Sequence, residues 1–175
     1  MTSHPILVPD TSVLLKWVLE SEDEEDRDHA LELREDWLAG RCEIVLPSLW
    51  FFEVGNILGM KQPALAKQLM QVLLDYRIDE APPAAFCSKT LELMKTYKVT
   101  FYDASYHALA ITRSGRMITA DDTYFRKTSR AGHVEVLKNW PSPRRLPSWK
   151  SELVNSSSKS LVSSLALIRE SVFLL

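Results

Sequence analysis

Short apolar runs alternate with longer segments of helical periodicity along the first 140 residues. PILVPD is an apolar run closed by Pro9 and Asp10, and CEIVLP, RMIT and HVEVL are further short runs of the same type. A short apolar run bounded by turn residues is typical of a buried strand. Residues 77–80 indicate one more short strand. The pattern therefore predicts several short strands separated by helices.

The segments between these runs carry helical signals. TSVLLKWVLE begins with hydroxyl residues suited to a helix start, and ESEDEEDRDHALELREDWLAG opens with acids that favour a helix N-terminus and stops at Gly40. SLWFFEVGNILGM predicts a helix that is capped by Ser48 and ends near Gly59. The remaining predicted helices are residues 63–76 opened by Pro63, residues 83–97, residues 103–115, and DDTYFRKTSRAG.

Strands that alternate with helices predict an α/β fold, with a mostly parallel central sheet and helices on both faces. Such sheets carry their functional sites at the carboxyl ends of the strands. With 175 residues, of which 46% are hydrophobic, the chain can bury one substantial core but is too short for two ordinary domains.

The composition changes at Pro141. The segment that follows begins with PSPRRLPSWK and contains 10 Ser in residues 141–175. We therefore predict a folded domain over residues 1–140 and a Ser/basic extension over residues 141–175. The extension is either a short amphipathic helix or disordered.

The net charge of −2 conceals an asymmetry along the chain. Residues 1–60 carry 4 Lys+Arg against 13 Asp+Glu, whereas residues 61–175 carry 17 against 10. The basic C-terminal part is compatible with a polyanionic partner, and a mixed solvated surface explains it about as well.

The sequence shows neither a membrane segment nor a cysteine framework. No run approaches the roughly 18 apolar residues of a membrane-spanning helix, and the N-terminus lacks a leader pattern, so we expect a cytoplasmic protein without a membrane partner. Cys42 and Cys87 lie far apart without a CxxC motif or a histidine pair. Buried free thiols are therefore favoured over a zinc site or a disulfide.

Four carboxylates lie at or near predicted strand ends and helix starts, where this fold class places its functional sites. Asp10 and Asp121 follow predicted strands, and Asp103 opens a predicted helix. Each of these three alone fits a helix cap or first-turn acid, worth roughly 1 kcal/mol. Glu53 differs because it lies among bulky apolar residues, where burying a carboxylate is costly without a cation or strong donors. A surface-facing position of Glu53 is the alternative.

Taken together, the four acids favour a metal-dependent nuclease. The ends of the first and fourth strands can be neighbours, which would bring the acids into one crevice. Close carboxylates repel one another unless a divalent cation neutralises them, and oxygen ligands without thiolates suit Mg²⁺ or Mn²⁺. Such ions catalyse in-line displacement at phosphorus by holding a phosphodiester oxygen and an activated water.

Motifs of competing enzyme classes are absent from the sequence. It contains no GxGxxG, GxxxxGK[ST] or GxSxG pattern. A phosphatase with an aspartyl nucleophile would need a second Asp two positions after Asp10, where Ser12 stands. The four histidines are scattered and give no support to a His-pair ribonuclease.

The segments DTSVLLKWVLE, LPSLWFFEVGNIL, TFYDASYHALA and MITADDTYF, in this order, resemble PIN-domain ribonucleases, most closely the VapC-type toxins of bacterial and archaeal toxin–antitoxin systems. The resemblance covers about residues 5–140, and the chain beyond Trp140 departs from it. It implies a three-layer α/β/α PIN sandwich, Mg²⁺- or Mn²⁺-dependent endoribonuclease activity and a homodimer. It also implies neutralisation by a small VapB-like antitoxin that lies over the active site.

Carried over position by position, the resemblance gives roles to individual residues. The acids of the pocket are Asp10, Glu53, Asp103 and Asp121, with Asp10 and Asp103 as direct metal ligands and the other two completing the set. Ser12 would orient a ligand or a metal-bound water. Thr119 matches the hydroxyl two positions before the last acid, where satisfying the local backbone is an equal alternative.

Three further polar residues carry two interpretations each. Asn56 lies on the helical face of Glu53 and is either bonded to the pocket or simply exposed. Asp122 either supports the pocket or only favours a helix N-terminus, and we expect Asp121 to be the more important of the pair. Lys16 either contacts phosphate or, as we expect, extends to the surface.

Two other functions remain open from the sequence. One is an RNA-binding or protein-interaction PIN module with little catalysis, and the other is a PIN nuclease of ribosomal RNA maturation without an antitoxin. A short upstream reading frame encoding a DNA-binding N-terminus would favour the toxin. The RNA that is cleaved cannot be read from the sequence.

Overall fold

The computed structural model describes residues 4–19 and 26–140. The predicted extension over residues 141–175 lies outside this part of the chain, as do the acids at positions 20–25. Within the described residues, no helix is both long enough and apolar enough to cross a membrane.

Five short strands form the centre of the fold. They are β1 (Ile6–Pro9), β2 (Glu43–Pro47), β3 (Asp79–Ala81), β4 (Arg116–Thr119) and β5 (Val134–Val136). The sheet order is β3-β2-β1-β4-β5 and every pairing is parallel. Leu7 of the central strand β1 pairs with Ile44 on one side and Arg116 on the other. The predicted parallel sheet is confirmed, and β1 and β4 end side by side.

Helices connect the strands and flank the sheet. They are α1 (Thr11–Val18), α2 (Arg27–Leu38), α3 (Trp50–Lys61), α4 (Ala66–Asp75), α5 (Cys87–Tyr97), α6 (Phe101–Thr112) and α7 (Asp122–Thr128). Single 3₁₀ turns lie at Pro83–Ala85, Ser129–Ala131 and Leu137–Asn139. The predicted α/β/α arrangement is therefore confirmed for the described domain.

Several predicted helix starts were wrong. The Ser48 cap does not form, because α3 begins at Trp50 after Leu49 and continues beyond Gly59. A turn over residues 63–65 delays α4 to Ala66. Helix α6 begins two residues before Asp103, because the Thr100 hydroxyl accepts the Asp103 N–H at 3.2 Å and caps the helix earlier.

Helix α6 is the most deeply buried helix of the described chain. Residues 104–110 are all buried, on every side of the helix. Three of these seven are alanines, whose small side chains let α6 lie close to α5, β1 and β4. A helix enclosed in this way holds its N-terminal residues in fixed positions, and Asp103 is among them.

Aromatic, basic and thiol side chains divide between core and surface. Trp17 stacks on Trp37 and both meet the edge of Tyr76, so these rings belong to the core. Phe51 and Phe52 are 41% and 69% exposed. Trp50 is buried. Cys42 is buried as expected, and Cys87 is a half-buried free thiol. Lys16 is buried, whereas the sequence predicted a surface position.

Two glycines offer a matched test of the packing between β1 and β4. A Cβ at Gly115 would lie 2.6 Å from the Ile6 carbonyl oxygen, whereas a Cβ at Gly59 meets nothing within 4 Å. Gly115→Ala should lower the free energy of unfolding by about 2 kcal/mol because a backbone atom blocks the new methyl group. Gly59→Ala should raise it by about 0.5 kcal/mol because Gly59 is helical. Urea denaturation followed by circular dichroism measures both, and equal midpoints would contradict the prediction.

Candidate active site

Asp10 caps α1 at the point where β1 ends. Its Oδ1 accepts the Ser12 hydroxyl at 2.5 Å and the Val13 N–H at 3.3 Å. The backbone N–H of Asp10 donates to the Ile118 carbonyl of β4 at 3.0 Å. The helix-cap interpretation of Asp10 is confirmed, and the same contacts fix its carboxylate at the carboxyl edge of the sheet.

Two hydroxyl groups tie the end of β4 to Asp10. Ser12 Oγ, which donates to Asp10, also accepts the Ala120 N–H at 2.9 Å. The fully buried Thr119 hydroxyl accepts the Asp121 N–H at 3.0 Å and is hydrogen-bonded to the Asp10 side chain. Thr119 thus satisfies local backbone, as one interpretation had it, and also contacts an acid of the predicted pocket.

Glu53 is half-buried and is held by two hydroxyl groups from other helices. Its Oε2 accepts the Thr11 hydroxyl at 2.6 Å and the Tyr106 hydroxyl at 2.9 Å. The two hydroxyl oxygens are 2.8 Å apart. Since an ionised carboxylate accepts from both hydroxyls, this triangle suits the charged form of Glu53. The surface-facing interpretation of Glu53 was wrong.

Asp103 and Asp121 are oriented by their own helix N-termini. Asp103 Oδ2 accepts the Thr100 hydroxyl at 2.6 Å. Asp121 caps α7, because its Oδ1 accepts the N–H groups of Thr123 and Tyr124 at 2.7 and 3.0 Å. Both acids therefore make hydrogen bonds at the N-termini of their own helices, and the cap interpretation of Asp121 is confirmed.

Asp103 and Asp121 face a common cleft of about 310 Å³. The residues that line it are Lys98, Val99, Thr100, Asp103, Asp121, Thr123, Tyr124 and Lys127. Asp10 and Glu53 do not belong to this lining. The structure thus brings two of the four predicted acids together in one cleft. Asp10, which is 6% exposed, lies at the carboxyl edge of the sheet instead.

The acids nevertheless act on one another electrostatically. Burial raises the pKa of Asp10 to about 7 against the lowering effect of Ser12, Thr119 and the Val13 N–H, and the charge of Asp103 raises it further. Burial also raises the pKa of Glu53, and Asp103 again adds to the rise.

Asp103 is the common member of these interactions. Burial raises the pKa of Asp103, the Thr100 hydroxyl lowers it, the charge of Asp121 raises it and that of Lys127 lowers it. The charge of Asp103 is thus felt by both Asp10 and Glu53. These couplings support the prediction that the four acids share one electrostatic environment.

The oxygen ligands of this region are of the kind that bind a hard divalent cation. In the present arrangement, however, the described side chains do not surround a common metal position. Carboxylate and hydroxyl oxygens are the ligands that Mg²⁺ and Mn²⁺ prefer, and carboxylates with raised pKa values lack a neutralising charge. Over residues 4–19 and 26–140, however, no three His, Cys, Asp or Glu side chains converge closely enough to hold a metal ion. A shared ion would require the acids to turn from their present hydrogen bonds.

Two of the predicted supporting residues lie away from the cleft. Asn56 is exposed on α3, in keeping with its simpler interpretation. Asp122 is also exposed, and both of its oxygens accept the Lys138 ammonium group, at 2.9 and 2.7 Å. Asp122 therefore forms a surface ion pair, while its neighbour Asp121 lines the cleft.

A buried pair that the sequence analysis missed connects the helices of Asp103 and Asp121. His107 Nε2 lies 2.6 Å from the Gly132 carbonyl, which can only accept, so this nitrogen carries the proton. Its Nδ1 therefore accepts the Tyr124 hydroxyl, at 3.0 Å. Burial lowers the pKa of His107, which favours this neutral form.

Helical spacing was the available signal for these partners. Tyr106 and His107 follow Asp103 by three and four positions, and Tyr124 follows Asp121 by three, so each lies one turn along from an acid. Thr11 gave no comparable signal, because its contact with Glu53 depends on how α1 and α3 pack.

Comparison with known proteins agrees with this geometry. The PIN domain family model matches residues 7–131. Exonuclease VapC9 of Pyrobaculum aerophilum is 29% identical over 108 residues, which cover 58% of this chain and 79% of that protein.

Two solved structures share the fold at low identity. A chain from a toxin–antitoxin complex of Klebsiella pneumoniae aligns with a TM-score of 0.55 and 16% identity, covering 76% of this chain and 97% of that one. VapC20 of Mycobacterium tuberculosis, described as a sarcin–ricin loop cleaving toxin, aligns with a TM-score of 0.50 and 15% identity, covering 75% of this chain and 98% of that one.

The raised pKa of Asp10 predicts a pH-dependent gain in stability for Asp10→Asn. In the unfolded chain this carboxyl ionises near pH 3.8, and in the folded metal-free protein near 7. Its stabilising contribution is therefore full below pH 3.8 and is lost as the pH rises through 7. The variant should exceed the wild type by a few kcal/mol in free energy of unfolding at pH 8, and by little at pH 4.

Urea denaturation in EDTA at the two pH values measures this difference. Asp122→Asn serves as the control, since it removes an exposed carboxylate from the same sheet edge. A gain for Asp10→Asn that is the same at pH 4 and pH 8 would show that burial does not hold the Asp10 proton.

Proposed function

We propose that this chain, which belongs to the PIN domain family, is a divalent-metal-dependent endoribonuclease and the toxin of a type II toxin–antitoxin pair. The observation that carries the proposal is the burial of acids at one sheet edge, where burial, and after it the charge of Asp103, raises the pKa of both Asp10 and Glu53. Buried acids that destabilise one another make sense in a site whose working state includes a cation.

Asp10 and Asp103 would hold Mg²⁺ or Mn²⁺, with Glu53 and Asp121 completing the acidic set. When bound, such an ion supplies Lewis-acid polarisation of the phosphodiester and lowers the pKa of a coordinated water. The oxygen-only donors and their raised pKa values support this choice of cofactor.

The chain's own groups orient the acids around the reacting phosphodiester. Ser12 and Thr119 fix the Asp10 carboxylate, and Thr100 fixes that of Asp103. Because α6 is buried over residues 104–110, the core fixes the backbone at Asp103, and only the side chain has to turn for the acids to share an ion. A fixed backbone limits the reorganisation needed when charge develops on the phosphate.

Glu53 is suited to accept a proton from the attacking water. Thr11 and Tyr106 both donate to its Oε2 and hold the side chain in place. Its Oε1 has no hydrogen bond from the described residues, so we assign that oxygen the role of proton acceptor. The raised pKa of Glu53 makes it a better base than an exposed glutamate.

The toxin assignment rests on the family resemblance and on the named structural neighbours. One of these neighbours comes from a toxin–antitoxin complex and another is described as a sarcin–ricin loop cleaving toxin. We propose a small VapB-like antitoxin as the inhibitory partner and a homodimer as the assembly. Attack within the strand and attack from its end remain to be separated, because the curated relative is called an exonuclease.

Cleavage of a circular RNA tests metal dependence and mode of attack together. The wild-type chain should linearise a circular single-stranded RNA in Mg²⁺ or Mn²⁺, because an endonuclease needs no free end. Excess EDTA and the Asp10→Asn substitution should each abolish the cleavage. Degradation of linear RNA alone would indicate the exonuclease instead. Cleavage that persists in EDTA, or in the variant, would rule out the carboxylate-metal mechanism.

The neighbouring acids Asp121 and Asp122 should respond differently to the same substitution. Asp121→Asn should lower the cleavage rate by at least about tenfold because it changes the charge in the cleft, whereas Asp122→Asn should change it by less than about twofold. In cells, growth arrest on expression should follow the same order, and co-expression of the cognate VapB-like antitoxin should relieve it. Equal losses for both variants would contradict the assignment of Asp121.

A further inference from the structure

The cleft contains two basic side chains to which the proposed metal site gives no role. Lys98 and Lys127 line it together with Asp103 and Asp121. Both lysines are exposed. Within residues 4–19 and 26–140, neither lysine makes an ion pair or a side-chain hydrogen bond, so their ammonium groups are available to a ligand.

Several other basic residues of the described chain are engaged in ion pairs. Lys138 binds Asp122, Lys89 binds Glu92, and Arg116 binds Glu135 across β4 and β5. Lys127 lies close enough to Asp103 to influence its charge, yet the two do not form an ion pair. Among the described residues, Lys98 and Lys127 are therefore two unpaired cations within a cleft that also holds two acids.

The backbone at Lys98 is unusual for a lysine. This residue ends α5 in the left-handed conformation, with φ of 55° and ψ of 48°, and its N–H donates to the Met94 carbonyl at 2.9 Å. Glycine takes that conformation without strain, whereas L-residues rarely adopt it. This conformation ends α5 at Lys98, and Lys98 is thereby part of the cleft lining.

A polyanion entering this cleft needs compensating positive charge. Asp103 and Asp121 repel phosphate, and a cation held by the acids would act on the scissile phosphodiester only. A neighbouring phosphate along the strand would still meet net repulsion unless another cation bound it. Lys98 and Lys127 supply two such charges from different elements, the end of α5 and the last turn of α7.

We propose that Lys98 and Lys127 form a backbone-phosphate subsite that binds the phosphodiester next to the scissile one in single-stranded RNA. This inference rests on the proposed nuclease function and deepens it. The cleft volume of about 310 Å³ is within the range of small-ligand pockets, which suits a short segment of one strand. Contacts to phosphate carry affinity without reading the base sequence.

The test compares charge-removing substitutions at the cleft with one elsewhere. Lys98→Asn removes the charge with a residue that tolerates the left-handed conformation, and Lys127→Gln removes it from α7. Lys67→Gln is the matched control, since Lys67 is exposed on α4 and lies outside the cleft lining. Lys127→Arg retains the charge and should retain binding. Circular dichroism verifies that all variants fold.

Fluorescence anisotropy with a labelled ten-nucleotide RNA, in Ca²⁺ and over a range of KCl concentrations, gives the affinity and its salt dependence. Each cleft substitution should reduce the slope of log affinity against log salt by about 0.7 and weaken binding about fourfold at 0.15 M salt. In Mg²⁺ the KM should rise by a similar factor while kcat changes by less than about twofold. Lys67→Gln should leave all of these quantities near their wild-type values.

Each possible result decides for or against the subsite. Cleft variants that bind RNA like Lys67→Gln would overturn it, as would a wild-type chain that does not bind the RNA. A fall in kcat for Lys127→Gln with an unchanged salt slope would make Lys127 a counter-ion of Asp103 and would also overturn it. Loss of RNA affinity in the variants of a chain that does not cleave would uphold the subsite and refute the proposed nuclease.

Discussion

The burial of one carboxylate between two parallel strands is the constraint on which this structure depends. Asp10 ends the central strand of the sheet, where burial raises its pKa to about 7. Two hydroxyl groups and a backbone N–H donate hydrogen bonds to Asp10 and offset part of the free-energy cost of burying its charge. These donors come from α1 and from the end of β4, so the same contacts that stabilise the charge also join the two strands. Stability and chemistry at this edge are therefore linked.

The remaining acids depend on elements that are fixed by packing. Helix α6 carries Asp103 and the Tyr106 hydroxyl that holds Glu53, and its burial makes both positions rigid. Helix α7 carries Asp121 as its cap. The two lysines of the cleft belong to the exposed ends of α5 and α7, where side chains can adjust to a bound strand. The site thus combines acids on a fixed backbone with adaptable cations.

The sequence predicted the strands better than the helix starts. RMIT coincides with β4 because an apolar run between Gly115 and two acids leaves little freedom in its boundaries. Ser48 and Pro63 are good local start signals, but α3 and α4 begin further along. Asp10 and Asp121 were singled out because strand ends are visible in sequence, whereas Glu53 was singled out by its bulky apolar neighbours. Thr11 was missed because its contact with Glu53 spans 42 residues, and the burial of Lys16 likewise depends on tertiary packing.

The hydrogen bond between His107 and Tyr124 constrains how this protein can change over evolution. It joins a buried imidazole to a buried phenol, and the other ring nitrogen is already committed to Gly132. Replacing either ring alone would leave a polar atom without a partner in the interior, a costly intermediate. We therefore expect that, among related sequences, substitutions at His107 and Tyr124 occur together. The relative position of the two helices that carry Asp103 and Asp121 therefore depends on a hydrogen bond between two buried rings, and not on the acids themselves.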